Sequence, residues 1–157
     1  PRLRLDLTGH ILATAALTTG RINVWGGSQL RPHVHIRDLV DLYIALLTAP
    51  QELVHAQAFN VIAENHSVME IAKLIGNIVG AVEITTEPVL DARSYHLDGT
   101  LASHVLGFRP TGTIAMAVQE LADAFSDGRV REPSDPIYRN IACMQRDPSL
   151  WRATPWT

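Results

Sequence analysis

The residues best suited to chemistry lie in Leu30–Val40, which combines an arginine, two histidines and an aspartate. Arg31 precedes a proline, so its backbone is extended and its side chain can reach solvent or an anion. His33 and His35 are two residues apart, which places them on one face of a strand, with the Pro, Val and Ile of this stretch on the other. Asp38 can accept hydrogen bonds from the first N–H groups of a helix that we predict to begin at the next residue.

A metal site or a cysteine nucleophile is not expected. Two histidines are too few for a structural zinc site, and no third His, Cys or carboxylate follows at a recognisable spacing. We therefore predict a packed, hydrogen-bonded structural role for His35. Cys143 has no histidine or aspartate partner at motif spacing and is expected to be a bystander. A single cysteine forms no internal disulfide, which is typical of a reducing compartment such as the cytoplasm.

Composition excludes two classes of function. The 157 residues are 46% hydrophobic, enough for one domain with a real core. A net charge of −3 and a pI near 6.2 argue against a nucleic-acid binder, which would need a basic stripe. No apolar run is long enough to cross a bilayer, so no membrane partner is expected. The chain begins with Pro1 instead of methionine, which we interpret as the mark of a fragment or a processed piece.

The elements that must position these residues alternate between helices and strands. We predict helices over residues 6–19, 39–49, 68–79, 100–106 and 113–125, and strands over 22–25, 30–36, 58–62 and 82–86. Asp6 or Thr8 is expected to cap the first helix, which Gly20 ends. Such alternation favours a layered α/β structure.

Three further patterns complete the organisation of the chain. Ser67 and Glu70 form a capping-box sequence, the strongest local signal in the chain. The helix over residues 39–49 is apolar nearly all round, which predicts burial between two layers. After Gly128 the periodicity is lost, so we predict an α/β portion over 1–128 and an extended tail, rich in Pro and Arg, over 129–157.

The order of several motifs resembles the carboxyl-terminal half of the extended short-chain dehydrogenase/reductase family, the NAD-dependent sugar-nucleotide epimerases and dehydratases. The motifs are RLRLDL at 2–7, RPHVHIRD at 31–38, FNV at 59–61, SVMEIA at 67–72, DARSY at 91–95 and LGFRP at 106–110. They cover roughly the first 125 residues. The resemblance implies the substrate-binding half of a Rossmann-type enzyme.

Two signatures of that family, one that binds the cofactor and one that is catalytic, are absent from the sequence. There is no G-x-G-x-x-G turn to receive a dinucleotide pyrophosphate. The family pairs a tyrosine with a lysine four residues later, but Tyr43, Tyr95 and Tyr138 are followed at that distance by Leu, Gly and Ala. We therefore expect no catalytic and no cofactor-binding residue in this chain. The resemblance implies that NAD or NADP is bound mainly by an amino-terminal Rossmann half, in cis or on another chain, and a homodimer is possible for the intact protein.

The resemblance also implies roles for particular residues. Arg31 and Arg93 occupy positions at which similar proteins meet the diphosphate of the substrate, and a guanidinium suits phosphate oxygens. His10 lies where many relatives have an asparagine that hydrogen-bonds substrate. His35 and Asp38 would hold the backbone that aims Arg31.

Three functions follow from these expectations. The first is the sugar-nucleotide-binding part of an NAD-dependent epimerase or dehydratase that works through a transient ketone. The second is a related NAD(P)-dependent oxidoreductase for a sugar acid or carbonyl compound, in which the arginines would meet a carboxylate. The third is a non-catalytic binding fragment.

Overall fold

Helices and strands alternate in a mixed α/β fold in the computed structural model, which describes residues 3–89 and 93–147. Arg2, Asp91 and Ala92 of the family motifs lie outside the described residues. The strands are β1 (Arg21–Trp25), β2 (Leu30–His33), β3 (Glu64–Ser67) and β4 (Glu83–Glu87). The helices are α1 (Thr8–Thr19), α2 (Ile36–Thr48), α3 (Gln51–Val54), α4 (Val68–Val79), α5 (Thr100–Leu106), α6 (Ile114–Ser126) and α7 (Asn140–Arg146). No helix in these two ranges is long and apolar enough to cross a membrane.

The strands form two pairs. β1 and β4 are parallel, with Ile22 opposite Ile84. β2 and β3 are antiparallel, with His33 opposite Glu64. The predicted α/β fold class is confirmed, and the strands predicted at 22–25 and 82–86 are β1 and β4.

The core lies where α1, α4 and α6 pack around β1. Its apolar side chains recur at helical spacing on the three helices and at alternate positions on β1: Leu12, Ala16, Ile22, Val24, Ile71, Ile75, Val118 and Leu121. Burying a side chain the size of Ile71 or Ile75, each at most 1% exposed, contributes about 1.5–3 kcal/mol. This core fixes α1 and α6, whose first turns border the cavity described below.

The sequence predicted the cap of α4 correctly and the cap of α1 incorrectly. The capping box is confirmed: the Glu70 N–H donates to Ser67 Oγ at 3.2 Å, and the Ser67 N–H donates to Glu70 Oε2 at 2.7 Å. The predicted side-chain cap of α1 by Asp6 or Thr8 is wrong, because no side chain caps that helix. The Asp6 carboxylate instead accepts from Arg4 Nε at 2.9 Å and from the Asn140 N–H at 2.8 Å.

The start of α2 corrects the prediction for Leu30–Val40. Pairing of β2 ends at His33, and α2 begins at Ile36, three residues before the predicted start. The cap is His35, whose Nδ1 accepts from the Arg37 N–H at 3.2 Å. Asp38 therefore does not cap the helix. It lies within the first helical turn, where its carboxylate binds a different part of the chain.

Two elements predicted to be buried are not. Only one face of α2 is covered, with Asp38 and Leu42 below 5% exposed while Leu47 is 86% exposed. Residues 58–62, predicted as a strand, pair with none of the described strands. The segment therefore has the composition of a strand but forms no ladder in the described chain. The predictions of a helix buried between layers and of a buried strand are both wrong for the part of the chain that is described.

The predicted extended tail is partly folded. Residues 129–147 contain a 3-10 turn at Pro136–Tyr138 and helix α7, so the prediction of extended structure is wrong for this part. Val130 is 5% exposed, and the Leu5 N–H donates to the Tyr138 carbonyl at 2.8 Å. These contacts return the segment to the start of α1. The remainder of the predicted tail, 148–157, lies outside the described residues.

Candidate functional site

A cavity of about 330 Å³ lies between the first turn of α1, strand β2 and the first turn of α6. Two of the three predicted substrate-binding residues, His10 and Arg31, line it, together with His33, Glu64, Tyr95 and Thr113. Arg93 does not line it. The cavity therefore brings together residues from positions 10, 31–33, 64, 95 and 113, which only the tertiary structure makes neighbours.

The α1 N-terminus supplies main-chain donors to this cavity. Thr8, Gly9 and His10 line it, and their N–H groups donate to no acceptor in the described chain. The first helical bond is made by the next residue, Ile11, to the Leu7 carbonyl. Unpaired N–H groups and the helix dipole favour negative charge at this end of a helix. An anion placed here would accept hydrogen bonds from N–H groups that no side chain caps.

His10 is held in one tautomer. Its Nδ1 lies 2.6 Å from the Arg4 carbonyl oxygen, which can only accept, so Nδ1 carries the proton. Burial lowers the pKa of His10, and the hydrogen bond to the Arg4 carbonyl opposes that effect in part. The neutral ring then leaves Nε2 as an acceptor.

His33 forms part of the cavity wall with an unsatisfied nitrogen. Among the described residues its Nε2 atom is buried and has no hydrogen-bond partner. Burial lowers the pKa of His33, and the charge of His66 lowers it further. Since buried polar atoms are nearly always hydrogen-bonded, this nitrogen is an exception in a residue of the cavity wall.

Arg31 is anchored at the edge of the cavity by the loop that follows the undescribed residues 90–92. Its Nη1 donates to the Leu30 carbonyl at 2.9 Å and to the Arg93 carbonyl. The guanidinium lies 5.9 Å from the centroid of the Tyr95 ring, within cation–π range. The Leu30 N–H donates to Ser94 Oγ at 3.0 Å, which fastens the same loop to β2. Arg93 thus meets Arg31 through its main chain.

The two residues predicted to be structural hold the start of α2. His35 is 7% exposed, and its Nε2–H donates to Glu120 Oε2 on α6 at 3.2 Å. Arg37 Nη2 donates to the other oxygen of the same carboxylate, also at 3.2 Å. Asp38, 4% exposed, accepts from the N–H groups of Thr111 at 3.0 Å and Gly112 at 2.8 Å. α2 and the entrance to α6 are therefore tied together directly behind the cavity.

Glu64 is a site residue that the sequence did not indicate. Its Oε2 accepts from the Ile114 N–H at 2.6 Å, so it satisfies a donor in the first turn of α6 from 50 positions away. No motif marks an isolated glutamate for this role. The sequence indicates His33 only as a potential metal ligand, and Tyr95 only within the DARSY motif and as a tyrosine without a lysine four residues later. Their shared cavity depends on the pairing of β2 with β3.

The described residues contain no cluster of potential metal ligands, and the sequence contains no glycine-rich dinucleotide turn. No group of three or more His, Cys, Asp or Glu side chains converges on a point within residues 3–89 and 93–147. A dinucleotide pyrophosphate is held at a glycine-rich turn between a strand and a helix. The α1 N-terminus follows an irregular segment, and the sequence holds no G-x-G-x-x-G.

Comparison with known proteins gives a family for part of the chain. Residues 7–61, from α1 through the segment after α3, match the NAD dependent epimerase/dehydratase family. No curated protein matches the sequence.

Solved structures share the fold at low identity. UDP-glucuronic acid 4-epimerase from Bacillus cereus, in complex with UDP-glucuronic acid and NAD, superposes with a TM-score of 0.68 at 21% identity, over 81% of this chain and 42% of that one. The NAD dependent NDP-hexosamine 5,6-dehydratase TunA gives 0.66 at 22%, over 84% and 43%. L-threonine dehydrogenase from Phytophthora infestans gives 0.65 at 15%, over 76% and 41%. The chain thus spans about two fifths of the length of these structures, and the likeness concerns the fold alone.

Proposed function

We propose that this chain, whose residues 7–61 match the NAD dependent epimerase/dehydratase family, is the substrate-binding portion of such an enzyme and holds a sugar nucleotide. One observation carries the proposal. A cationic side chain, a helix N-terminus without a side-chain cap and a buried, unsatisfied imidazole nitrogen all border one cavity.

The diphosphate of the substrate would lie between Arg31 and the first turn of α1. A guanidinium and main-chain N–H groups are the two donor types that proteins use most for phosphate oxygens. The Tyr95 ring and the Arg93 carbonyl keep the Arg31 side chain in place, which reduces the entropy lost when an anion binds. In this proposal Arg93 serves through its main chain.

The sugar would lie deeper in the cavity. His10 Nε2 and His33 Nε2 are polar atoms of neutral rings, and sugar hydroxyls can both donate to and accept from such atoms. These contacts would orient the ring, while the chain itself offers no Tyr-x3-Lys pair to move a proton. The oxidation to a transient ketone, and the NAD or NADP that accepts the hydride, belong in this proposal to an amino-terminal Rossmann half in cis or on another chain.

A second substrate class is favoured by two observations. By the family resemblance, His10 stands where many sugar-nucleotide enzymes have an asparagine, and one of the similar structures is an L-threonine dehydrogenase. In that alternative, a related oxidoreductase, the α1 N-terminus and Arg31 would bind the carboxylate of a small acid. The intact protein is proposed to act in the cytoplasm, with a homodimer as its possible assembly.

Calorimetric titration of the chain and of the full-length protein tests both substrate classes. We expect UDP-, GDP- or dTDP-sugars to bind, and Arg31→Ala to weaken that binding at least 10-fold. Arg21→Ala is the matched control, because Arg21 is exposed and pairs with Glu83 at 2.9 Å on the β1–β4 pair. Tight binding of sugar acids or threonine without nucleotide would favour the alternative. Failure of every sugar nucleotide to bind either protein would refute the main proposal.

A further inference from the structure

The imidazole of His33 lies beside the first turn of α1. A Cβ built on Gly9 would be 3.8 Å from His33 Cε1, so the ring is next to the N-terminus of this helix. Its Nε2 is closed to solvent and has no hydrogen-bond partner among the described residues. The positive end of a helix dipole disfavours a cation at this place. The ring is therefore held where a second proton is poorly accommodated.

The charged groups that face His33 come from three elements. α1 contributes His10, which lines the same cavity. β2 contributes Arg31, two residues before His33 and thus on the same face of the strand. β3 contributes Glu64, directly opposite His33, and His66, opposite Arg31. Positively charged or protonatable groups therefore outnumber carboxylates around the ring.

The rest of the cavity wall adds little charge. His35 also lines the cavity, and its Nε2–H donates to Glu120 on α6 at 3.2 Å. Tyr95 contributes a phenol from the loop beside Arg31. The other described residues that line the cavity carry no ionisable side chain. An anion that enters would therefore change the balance of charge at His33 strongly.

The single carboxylate next to His33 is shared. Burial lowers the pKa of His33, the charge of His66 lowers it further, and the charge of Glu64 acts in the opposite direction. Glu64, however, accepts from the Ile114 N–H at 2.6 Å through Oε2, and its Oε1 lies 3.6 Å from His66 Nε2. Glu64 is thus partly neutralised by other partners, and a further negative charge is what would favour an imidazolium at His33.

We propose that His33 is a proton-linked part of the anion site: when an anion binds between Arg31 and the first turn of α1, His33 takes up one proton from solvent, and affinity for the anion increases as the pH falls. Because Nε2 is closed to solvent, the coupling acts through the electric field and needs no contact between the ring and the anion. Only the identity of the anion, the diphosphate of a sugar nucleotide, rests on the proposed function.

The direction of the pH dependence follows from linkage. The complex holds more protons than the chain alone between the two pKa values of His33, so binding strengthens as the pH falls through this range. Each unit by which the anion raises the pKa of His33 increases affinity about 10-fold. We therefore expect a gain of at least about 10-fold between roughly pH 8 and pH 5.5, the range in which histidine titrates.

Calorimetric titration of the 157-residue chain with UDP-glucose measures the proton directly. A phosphate monoester would itself titrate near pH 6, whereas the diphosphate of UDP-glucose is esterified at both ends and does not, so any proton taken up binds to the protein. Titrations near pH 6 in MES and in Bis-Tris, buffers with different ionisation enthalpies, give the number of protons. We expect about 0.5–1 proton per bound ligand.

Two variants assign that proton. His33→Gln should abolish proton uptake and flatten the pH dependence of affinity, because glutamine does not titrate. His66→Gln is the matched control, since His66 is a neighbouring histidine on the adjacent strand, and it should retain the uptake. Uptake that persists in His33→Gln, or that is lost in His66→Gln alone, would overturn the inference.

An NMR titration of the imidazole Cε1–H resonances, assigned on the parent chain, does not depend on whether a variant folds. The pKa of His33 should rise when sodium sulfate is added, because sulfate is an anion that does not titrate in this range. Sodium chloride at equal ionic strength should not reproduce the rise. A bound anion that leaves the pKa of His33 unchanged would refute the coupling.

The coupling and the proposed substrate can fail separately. UDP-glucose that binds without proton uptake would refute the role of His33 and keep the proposed function. Sulfate that raises the pKa of His33, in a chain that binds no sugar nucleotide, would refute the proposed substrate and keep the proton-linked anion site.

Discussion

The Asp38 carboxylate accepts a hydrogen bond from the Gly112 N–H at 2.8 Å, across 74 positions of sequence. Gly112 lies so close to α2 that a Cβ built on it would be 2.3 Å from His35 Cβ and 2.8 Å from Asp38 Oδ2. The pair fixes the start of α2 against the loop that enters α6. Since His35 and Gly112 both line the cavity, the width of the cavity depends on the hydrogen bond between Asp38 and Gly112.

Replacing Asp38 by Asn should destabilise the fold. The carboxylate accepts two main-chain N–H groups, and an amide would present its NH₂ group to one of them. Leaving a buried donor unsatisfied costs about 1–3 kcal/mol. Urea denaturation should show this loss for Asp38→Asn. The control, Asp41→Asn on the exposed side of α2, should change the free energy of unfolding by less than about 0.5 kcal/mol. Equal stability of the two variants would contradict the prediction.

Replacing Gly112 by Ala should be more damaging. The added methyl group would overlap the backbone-attached Cβ of His35, so α2 and the loop must separate. Overpacking of this kind costs about 1–3 kcal/mol, and loss of the Asp38 contacts adds to it. The control is Gly76→Ala in α4, where the nearest atom to the new Cβ is Ile84 Cδ1 at 3.4 Å, and where alanine favours the helix. In thermal melts, Gly112→Ala should have a lower Tm than the parent chain and Gly76→Ala a higher one. A Gly112→Ala variant with the Tm of the parent chain would refute the expected clash.

Acidification should destabilise the protein in part through His33. Burial keeps its folded-state pKa below the ordinary value of 6.5, so the unfolded chain takes up a proton first as pH falls. Stability is therefore complete above about pH 6.5 and decreases below it, by at most about 1.4 kcal/mol per pH unit for each such histidine. His33→Gln should reduce the slope between pH 6.5 and 5, with His10 supplying what remains. An unchanged slope would show that His33 does not titrate in this window. Asp6, whose pKa the Arg4 hydrogen bond lowers, acts only below about pH 3.8.

For sugar-nucleotide binding, the hydrogen-bonding groups of His10 should matter more than the size of its ring. Its Nδ1–H donates to the Arg4 carbonyl and leaves Nε2 as an acceptor. If His10 contacts the sugar, His10→Leu should weaken sugar-nucleotide binding about 10-fold or more, because the ligand group then loses its partner. His10→Asn should retain most of the affinity, since asparagine also offers a donor and an acceptor. Calorimetry on both variants separates polarity from volume. Equal losses would indicate a packing role instead.

Local signals in the sequence were sufficient for much of the fold. The capping box at Ser67, the ending of α1 at Gly20 and the strands β1 and β4 each depend on residues close together in the chain, and each is confirmed. The cap of α2 and the role of Asp38 were predicted wrongly. The role of Asp38 depends on the N–H groups of Thr111 and Gly112, which bind its carboxylate and which no local pattern connects to it. The cap by His35 is a local contact with the Arg37 N–H that the sequence pattern did not indicate.

The sequence alone determined the α/β class and which helices have apolar faces. It also determined the absence of G-x-G-x-x-G and Tyr-x3-Lys. Each of these depends only on residues that are close together in the chain. Only the tertiary structure decided which of those faces are covered. It also decided that His10, Arg31, His33 and Glu64 border one cavity, since strand pairing and helix packing bring distant segments together. The apolar residues of α2 predicted burial, and that prediction is wrong for one face of the helix in the described chain. Whether that burial occurs depends on a partner surface, which the periodicity of a single helix does not specify.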